Sequence, residues 1–424
     1  MRIRAKGRLP VACRCFFTAL VVTVWGPSAR GGADGITPYY VRGGLAFGYD
    51  SNLFREPAPL AQADRYLAFD VAAGFDQPIQ RQRVRADLTL RSTRYETRSD
   101  LDNLGGGLFL QWEGATAGGW AGSATLRANQ SLATYVAGGD ITVQSRNIER
   151  VGSLQAQVTY GLTSIWSLNG SAELRGLTYS APELASQENT QQALAMTAQW
   201  RPSAALQVAL GPRFTHARYP QAIADGSGGF FADSFDRRDL DLTTTWTASG
   251  ATSVTARLSA SEETHDVLRR LDIAGTTGAI NAVWQPTGKL TFNLAASRDT
   301  GSETSFANLG SAQQPLVGVG DSSQLTARLF LSTSYQATAK IQAGVAVLGE
   351  QRRLETHRSI GPFTLPGEFG HDRTLTAAAS LHYEPNRTTT LECRFARIHR
   401  SVESGTVTPF DVRQGQCQAQ ITLR

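Results

Sequence analysis

From about residue 40 to Arg424 the chain alternates apolar and polar side chains, the period of two expected of a strand whose faces meet different surroundings. Leu67, Phe69, Val71, Ala73 and Phe75 alternate with Ala68, Asp70, Ala72 and Gly74. Val84, Ala86, Leu88 and Leu90 alternate with Arg85, Asp87, Thr89 and Arg91, and Trp166, Leu168, Gly170, Ala172 and Leu174 with Asn169, Ser171, Glu173 and Arg175. The rhythm continues through Leu325, Ala327, Leu329 and Leu331 and through Leu375, Ala377, Ala379 and Leu381. No stretch shows a helical period.

Short turns and longer polar loops follow one another between these segments. The turns lie near Gln77-Pro78, Gly114 to Gly119, Thr163-Ser164, Pro202-Ser203, Ser249-Gly250, Pro286-Thr287-Gly288, Ala337-Thr338 and Pro385-Asn386. The loops lie around 53–65, 97–104, 132–148, 180–189, 218–237, 264–271, 300–322, 352–371 and 398–411. Turns and loops interleaved in this way predict about eighteen strands, an even number that puts both chain ends on the turn side. The expectation is an all-β fold over 34–424: a transmembrane, antiparallel, up-and-down β-barrel.

The tryptophans separate a membrane barrel from a soluble all-β protein. Trp112, Trp120, Trp166, Trp200, Trp246 and Trp284 each adjoin a short turn and stand on the apolar parity of their strand. Tyr160, Tyr335 and Tyr383 hold the equivalent place where Trp is absent. Such a ring suits a membrane interface, where the aromatic body lies in hydrocarbon and its N–H or O–H meets water. A soluble sandwich or propeller would bury the same residues mid-strand.

Residues 1–33 have the parts of an export signal: basic Arg8 and Arg14, an apolar run from Cys15 to Gly26, and small residues after it. The run is shorter than the roughly 20 apolar residues a spanning helix needs. We expect a signal peptide cleaved after Ala33, and delivery to the outer membrane of a Gram-negative bacterium; a cut after Ala29 would set Pro27 badly. The whole chain of 424 residues carries a formal charge of +5, but removing the segment leaves 35 basic against 36 acidic residues. The basic balance therefore does not argue for a nucleic-acid partner. Mean hydropathy is −0.23, and charged or amide side chains interrupt every later apolar stretch, so spanning would fall to strands.

Gly48-Tyr49-Asp50-Ser51-Asn52-Leu53-Phe54-Arg55 ends the first strand. With Trp284-Gln285-Pro286-Thr287-Gly288-Lys289-Leu290 and the strand through Ser297-Arg298-Asp299-Thr300-Gly301-Ser302, it resembles the EpsL family of outer-membrane β-barrel proteins from exosortase-associated exopolysaccharide operons. The resemblance implies a porin-like barrel exporting an extracellular polysaccharide. Its partners would be outer-membrane lipid, the transported glycan, the outer-membrane assembly machinery and periplasmic polysaccharide-export components. One departure concerns the last strand, which finishes Ile421-Thr422-Leu423-Arg424 where an aromatic residue usually serves the assembly machinery.

With apolar parity facing lipid, the opposite parity lines the interior and carries Arg85, Arg91, Arg127, Arg175, Arg213, Arg257, Arg328 and Arg394. Planar guanidiniums suit carboxylates, sulfates or phosphates, so arginines left unpaired would guide an acidic glycan. Asp87, Glu113, Glu173, Asp241 and Glu392 share that wall, and arginine–acid pairs are also ordinary filling of a barrel. Cys393 and Cys417 share apolar parity and are equidistant from Gly405, so they either form a disulfide across a hairpin or stay two lipid-facing thiols in a shifted register.

Catalysis has no support in the sequence. The six histidines, His216, His265, His357, His371, His382 and His399, are scattered at strand ends and loops without a nucleophile–base pattern or metal-ligand spacing. There is no Gly-x-Ser-x-Gly, phosphate-binding glycine loop or paired-carboxylate signature, and no cofactor is expected. Alternatives to polysaccharide export are a general or small-solute porin, and a structural barrel with a closed lumen whose outer loops bind partners.

Overall fold

A computed structural model describes residues 38–133, 144–161, 164–224, 230–267, 269, 272–299, 305–308, 317–320, 325–356, 359–360, 363–364, 368–404 and 408–424. The expected signal segment 1–33 lies outside these. Eighteen strands form one antiparallel sheet. They are β1 Tyr39–Asp50, β2 Asp64–Ile79, β3 Gln82–Tyr95, β4 Asn103–Ala115, β5 Trp120–Leu132 and β6 Ile148–Tyr160. There follow β7 Trp166–Tyr179, β8 Asn189–Trp200, β9 Leu206–Ala224, β10 Phe230–Ser249, β11 Thr252–His265 and β12 Ile273–Thr287. The last six are β13 Leu290–Asp299, β14 Leu325–Gln336, β15 Ile341–Thr356, β16 Glu368–Tyr383, β17 Thr389–Ser404 and β18 Phe410–Leu423.

Each strand pairs with its neighbours in sequence, and β1 also pairs with β18 from Val41↔Leu423 to Asp50↔Gln414. The sheet is therefore a closed barrel without edges. Closure matters because an unpaired strand edge cannot be satisfied in hydrocarbon.

The alternation read in the sequence becomes an outside and an inside. Leu45 and Phe47 are 51% and 54% exposed while Ala46 between them is fully buried, and the same contrast runs around the barrel. A continuous apolar outer wall of this kind belongs in a bilayer, where such barrels present a band about 25 Å tall. The protein is an integral outer-membrane β-barrel. All six predicted tryptophans lie on the outer wall, 40–63% exposed, near the short-turn end. They pack laterally: the rings of Trp120 and Tyr160 are 4.7 Å apart, Trp166 and Trp200 6.1 Å, Trp284 and Phe292 5.2 Å. Trp112 donates its indole N–H to Gln82 at 3.1 Å, the polar contact an interfacial indole seeks.

Two prolines read as turn residues stand in strands instead. Pro78 pairs with Arg83, and the turn falls at Gln80-Arg81, where Gln80 has positive φ. The β1–β2 ladder stops at Phe75, so no partner on that side needs a proline N–H. Pro286 sits in a register shift between Trp284 and Thr287, and its turn is Gly288-Lys289.

The segments 218–237 and 352–371, expected as loops, are strand wherever they are described. β9 and β10 run to 19 and 20 residues, and β15 and β16 each to 16, well beyond the roughly 9–11 a bilayer requires. Above the lipid both faces become polar, so the apolar periodicity fades although the ladder continues. The loop expected at 398–411 likewise includes the end of β17 and the start of β18.

Cys393 and Cys417 face each other directly in the β17–β18 register and are joined as a disulfide, with Cα atoms 4.1 Å apart. No bulge shifts the hairpin between them. Closing a loop with a sequence separation of 24 removes about 3–4 kcal/mol of unfolded-chain entropy. The Cys393→Ser variant is expected to lower the urea midpoint for unfolding from lipid vesicles, and to abolish the mobility difference between reduced and oxidised unfolded protein.

Candidate functional site

The interior is the candidate site, and its inner wall divides into two arcs. Along β9 to β17 charged side chains neutralise one another in a girdle at the long-loop half. Arg213 meets Asp239 at 3.2 Å and Asp241 at 3.1 Å, and Arg257 lies 3.7 Å from both Asp241 and Asp299. Arg328 meets Glu350 at 2.7 Å, and Glu350 also lies 3.6 Å from Arg352. Asp372 then takes Arg352 through two bonds of 2.9 and 2.6 Å and Arg400 at 2.8 Å, all three residues being buried. Guanidiniums and carboxylates withdrawn from water need such pairing, since an isolated buried charge is strongly penalised.

The arc from β3 to β6 is different. Arg127, Asn129, Gln155 and Gln157 stand on the inward parity and are nonetheless exposed. Arg127 lies over the inward ring of Phe109, 5.2 Å from its centroid, and is attracted by Glu173; among the described residues neither it nor Arg91 has an ion pair within 4.0 Å. Of the other predicted lumen arginines, Arg85 lies 3.5 Å from Asp76 and donates to Gln111, Arg394 lies 3.6 Å from Glu392, and Arg175 is buried. All eight therefore lie on the inner wall, but in unlike settings. Among the acids expected to pair with them, Asp241 and Glu392 do so. Asp87 instead accepts from Tyr40 and Thr89, and Glu113 from Gln111.

Reading the sequence missed inward Arg42, Arg237, Arg352 and Arg400. The last three fall in segments expected as loops, where no apolar row marks the parity. It also missed the role of the Gly48–Arg55 segment, which ties a rim loop to the barrel seam. Asp50 accepts the Asn52 N–H at 2.8 Å and the Arg55 guanidinium at 3.0 Å. Asn52 donates to the carbonyls of Glu56 and Asp411, the latter in β18. Arg55 has φ 60°, a left-handed conformation held by these bonds. Phe54 packs with Leu53 and Leu101 in a small buried cluster, capped by the Arg98 guanidinium 4.6 Å from its ring centre.

The described histidines are dispersed, as their sequence positions imply, and His357 lies outside the described residues. His265 ends β11, beyond the lipid band, because the outward side chains at Glu262 and Thr264 are already polar. It lies 2.8 Å from Asp233 and 3.2 Å from Glu263. Burial pulls its pKa down, but hydrogen bonds and charge attraction from the two carboxylates outweigh this and raise it to about 9. Among the described residues no group of three or more His, Cys, Asp or Glu side chains is placed to hold a metal.

No protein-family model matches the chain, and no curated protein matches its sequence. Solved outer-membrane structures share its outline. The outer-membrane protein OpdK of Pseudomonas aeruginosa is 12% identical, over 91% of this chain and 98% of that one, with a TM-score of 0.46. A BenF-like porin of Pseudomonas fluorescens Pf-5 is 11% identical, over 91% and 99%, also at 0.46. OccAB3 of Acinetobacter baumannii is 9% identical, over 91% and 99%, at 0.44. Likeness at this level says nothing of solutes or residue roles.

Two outcomes follow for the charged wall. Asp372→Ala removes the carboxylate shared by Arg352 and Arg400 and is expected to destabilise the barrel by about 3–5 kcal/mol, read from the denaturant midpoint in lipid vesicles. His265 gains its partners on folding, so its contribution is complete below the unfolded pKa near 6.5 and is lost as pH rises through about 9. Hydrogen exchange at Val267, whose N–H is bonded to Asp233, is expected to accelerate between pH 8 and 10 beyond the intrinsic base-catalysed rate. His265→Gln should remove that extra dependence.

Proposed function

We propose that the chain is a porin, a water-filled path for small polar solutes through the outer membrane. The observation that carries this reading is the exposed inward row of Arg127, Asn129, Gln155 and Gln157, polar side chains that face the interior without being packed there. An interior filled by protein would bury such groups or pair them. The girdle on β9 to β17 leaves little free charge on its side, so solutes follow the β3 to β6 arc. There the guanidiniums of Arg91 and Arg127 have no carboxylate within 4.0 Å among the described residues and favour anions.

Export of an acidic polysaccharide is the narrower form of this reading, and its support is the EpsL resemblance. Most of the Gly48–Arg55 segment is spent on the rim knot, and Trp284–Leu290 on a bulge and turn at the opposite end. Small-solute passage therefore stands first. Loss of surface glycan in a deletion strain, restored by the wild-type chain, would move the proposal to export.

The test is planar-bilayer recording of the purified barrel. Discrete conductance steps with anion preference are expected, and Arg127→Glu should shift the reversal potential toward cations without unfolding the protein. A barrel that inserts and never conducts would overturn the porin reading.

A further inference from the structure

The outer wall closes differently at its two ends. At the short-turn end its apolar rows meet Trp and Tyr; at the long-loop end several of them meet arginine. On β2 the outward row Phe75, Ala73, Val71, Phe69, Leu67 is followed by Arg65, and on β16 the row Leu381, Ala379, Ala377, Leu375 by Arg373. On β17 the row Leu391, Cys393, Phe395 is followed by Arg397. β16 and β17 run in opposite directions, so the arginine precedes the row in one and ends it in the other. Along the ladder Arg397 stands opposite Ala377, while Arg373 stands opposite Ser401, four residues further toward the long loops.

The feature is sharpest at β16 to β18. Arg397 stands directly opposite Arg413 on the outer face, two like charges at a site where cross-strand repulsion disfavours them. Asp411 lies 3.6 Å from Arg397 and 3.0 Å from His399, and Glu403 lies 3.4 Å from Arg373. Among the described residues Arg413 has no ion pair within 4.0 Å, and all three arginines are exposed. Beneath them Phe395, 59% exposed, lies flat against Gly415, where an added Cβ would come within 3.3 Å of the ring. A cationic cluster thus sits directly above a smooth apolar surface.

That combination matches an amphiphile with anionic oxygens at its head. The cations are guanidiniums, which grip phosphate through two parallel hydrogen bonds, while the lysines outside the expected signal segment, Lys289 and Lys340, both lie at short turns. Long loops face outward in such barrels, so the cluster lies at the outer leaflet. We propose that the long-loop rim of β16 to β18 binds the phosphates of an outer-leaflet glycolipid through Arg397 and Arg413, with Arg373 further out on β16 and acyl chains lying along Phe395 and Leu381. This site is on the outer wall and is independent of the solute path.

The test uses the purified full barrel in detergent and native mass spectrometry with three lipid probes: bisphosphorylated lipid A, the same lipid with its phosphates removed, and phosphatidylcholine. Wild type is expected to retain bisphosphorylated lipid A selectively. The Arg373→Gln, Arg397→Gln, Arg413→Gln triple variant should retain at least about tenfold less of it. Folding is checked by heat-modifiable gel mobility, and Arg413→Gln alone, whose side chain has no ion-pair partner among the described residues, covers the case of a misfolded triple variant. Equal retention of dephosphorylated lipid A or phosphatidylcholine, undiminished retention by the folded variants, or displacement of the lipid by equimolar inorganic phosphate would overturn the proposal.

Discussion

A chain that crosses hydrocarbon must satisfy every backbone N–H and C=O within itself, because each one left unmet costs several kcal/mol where no water can reach it. Here the β1–β18 ladder meets that demand by joining the two ends of the sheet, and its continuity explains where irregularities are tolerated. Pro78 lies past the end of β1, Pro286 in a bulge at the membrane boundary, and Pro212 where the β8–β9 ladder skips from Ala195↔Arg213 to Ala198↔Leu210. The disulfide pins the register of β17 against β18, next to the closing seam.

Closure gives each strand two faces, and the solvent on each selects its side chains. Outside, hydrocarbon admits apolar groups bounded by aromatic residues at one rim and, on several strands, by arginines at the other. Inside, the same pleat presents polar groups, which either neutralise one another, as from Arg213 to Arg400, or remain accessible, as from Arg127 to Gln157. The first arrangement makes a rigid wall and the second makes room for water. The proposed solute path on one side of the interior rests on this division.

Strand number, outward rows and the tryptophan ring were legible in the sequence because a single physical demand, contact with hydrocarbon, writes a period of two wherever it acts. Legibility ended where that demand ended. Arg237, Arg352 and Arg400 belong to strand continuations above the lipid, where neither face is apolar and the pattern vanishes. Asp372 serves Arg352 and Arg400 from two neighbouring strands, which depends on register that no local pattern encodes, whereas Arg237 meets Asp239 two residues along its own strand. The Asp50–Arg55 knot was visible as a motif, but its meaning lay in a contact with Asp411, far along the chain. Cys393 and Cys417 were the favourable case: symmetry about a loop centre reduced the long-range question to one hairpin.

The central claim is that neighbouring residues of one strand face water and hydrocarbon in turn, and a label scan along β6 tests it most directly. Single cysteines at Ser153 through Val158, in a background lacking Cys393 and Cys417, would carry a nitroxide in reconstituted vesicles. Its relaxation by a water-soluble nickel complex and by oxygen would be compared. The account predicts strict alternation, with Ser153, Gln155 and Gln157 relaxed by nickel and Leu154, Ala156 and Val158 by oxygen. Uniform access by nickel at all six positions, or a folded protein recovered without detergent, would contradict it.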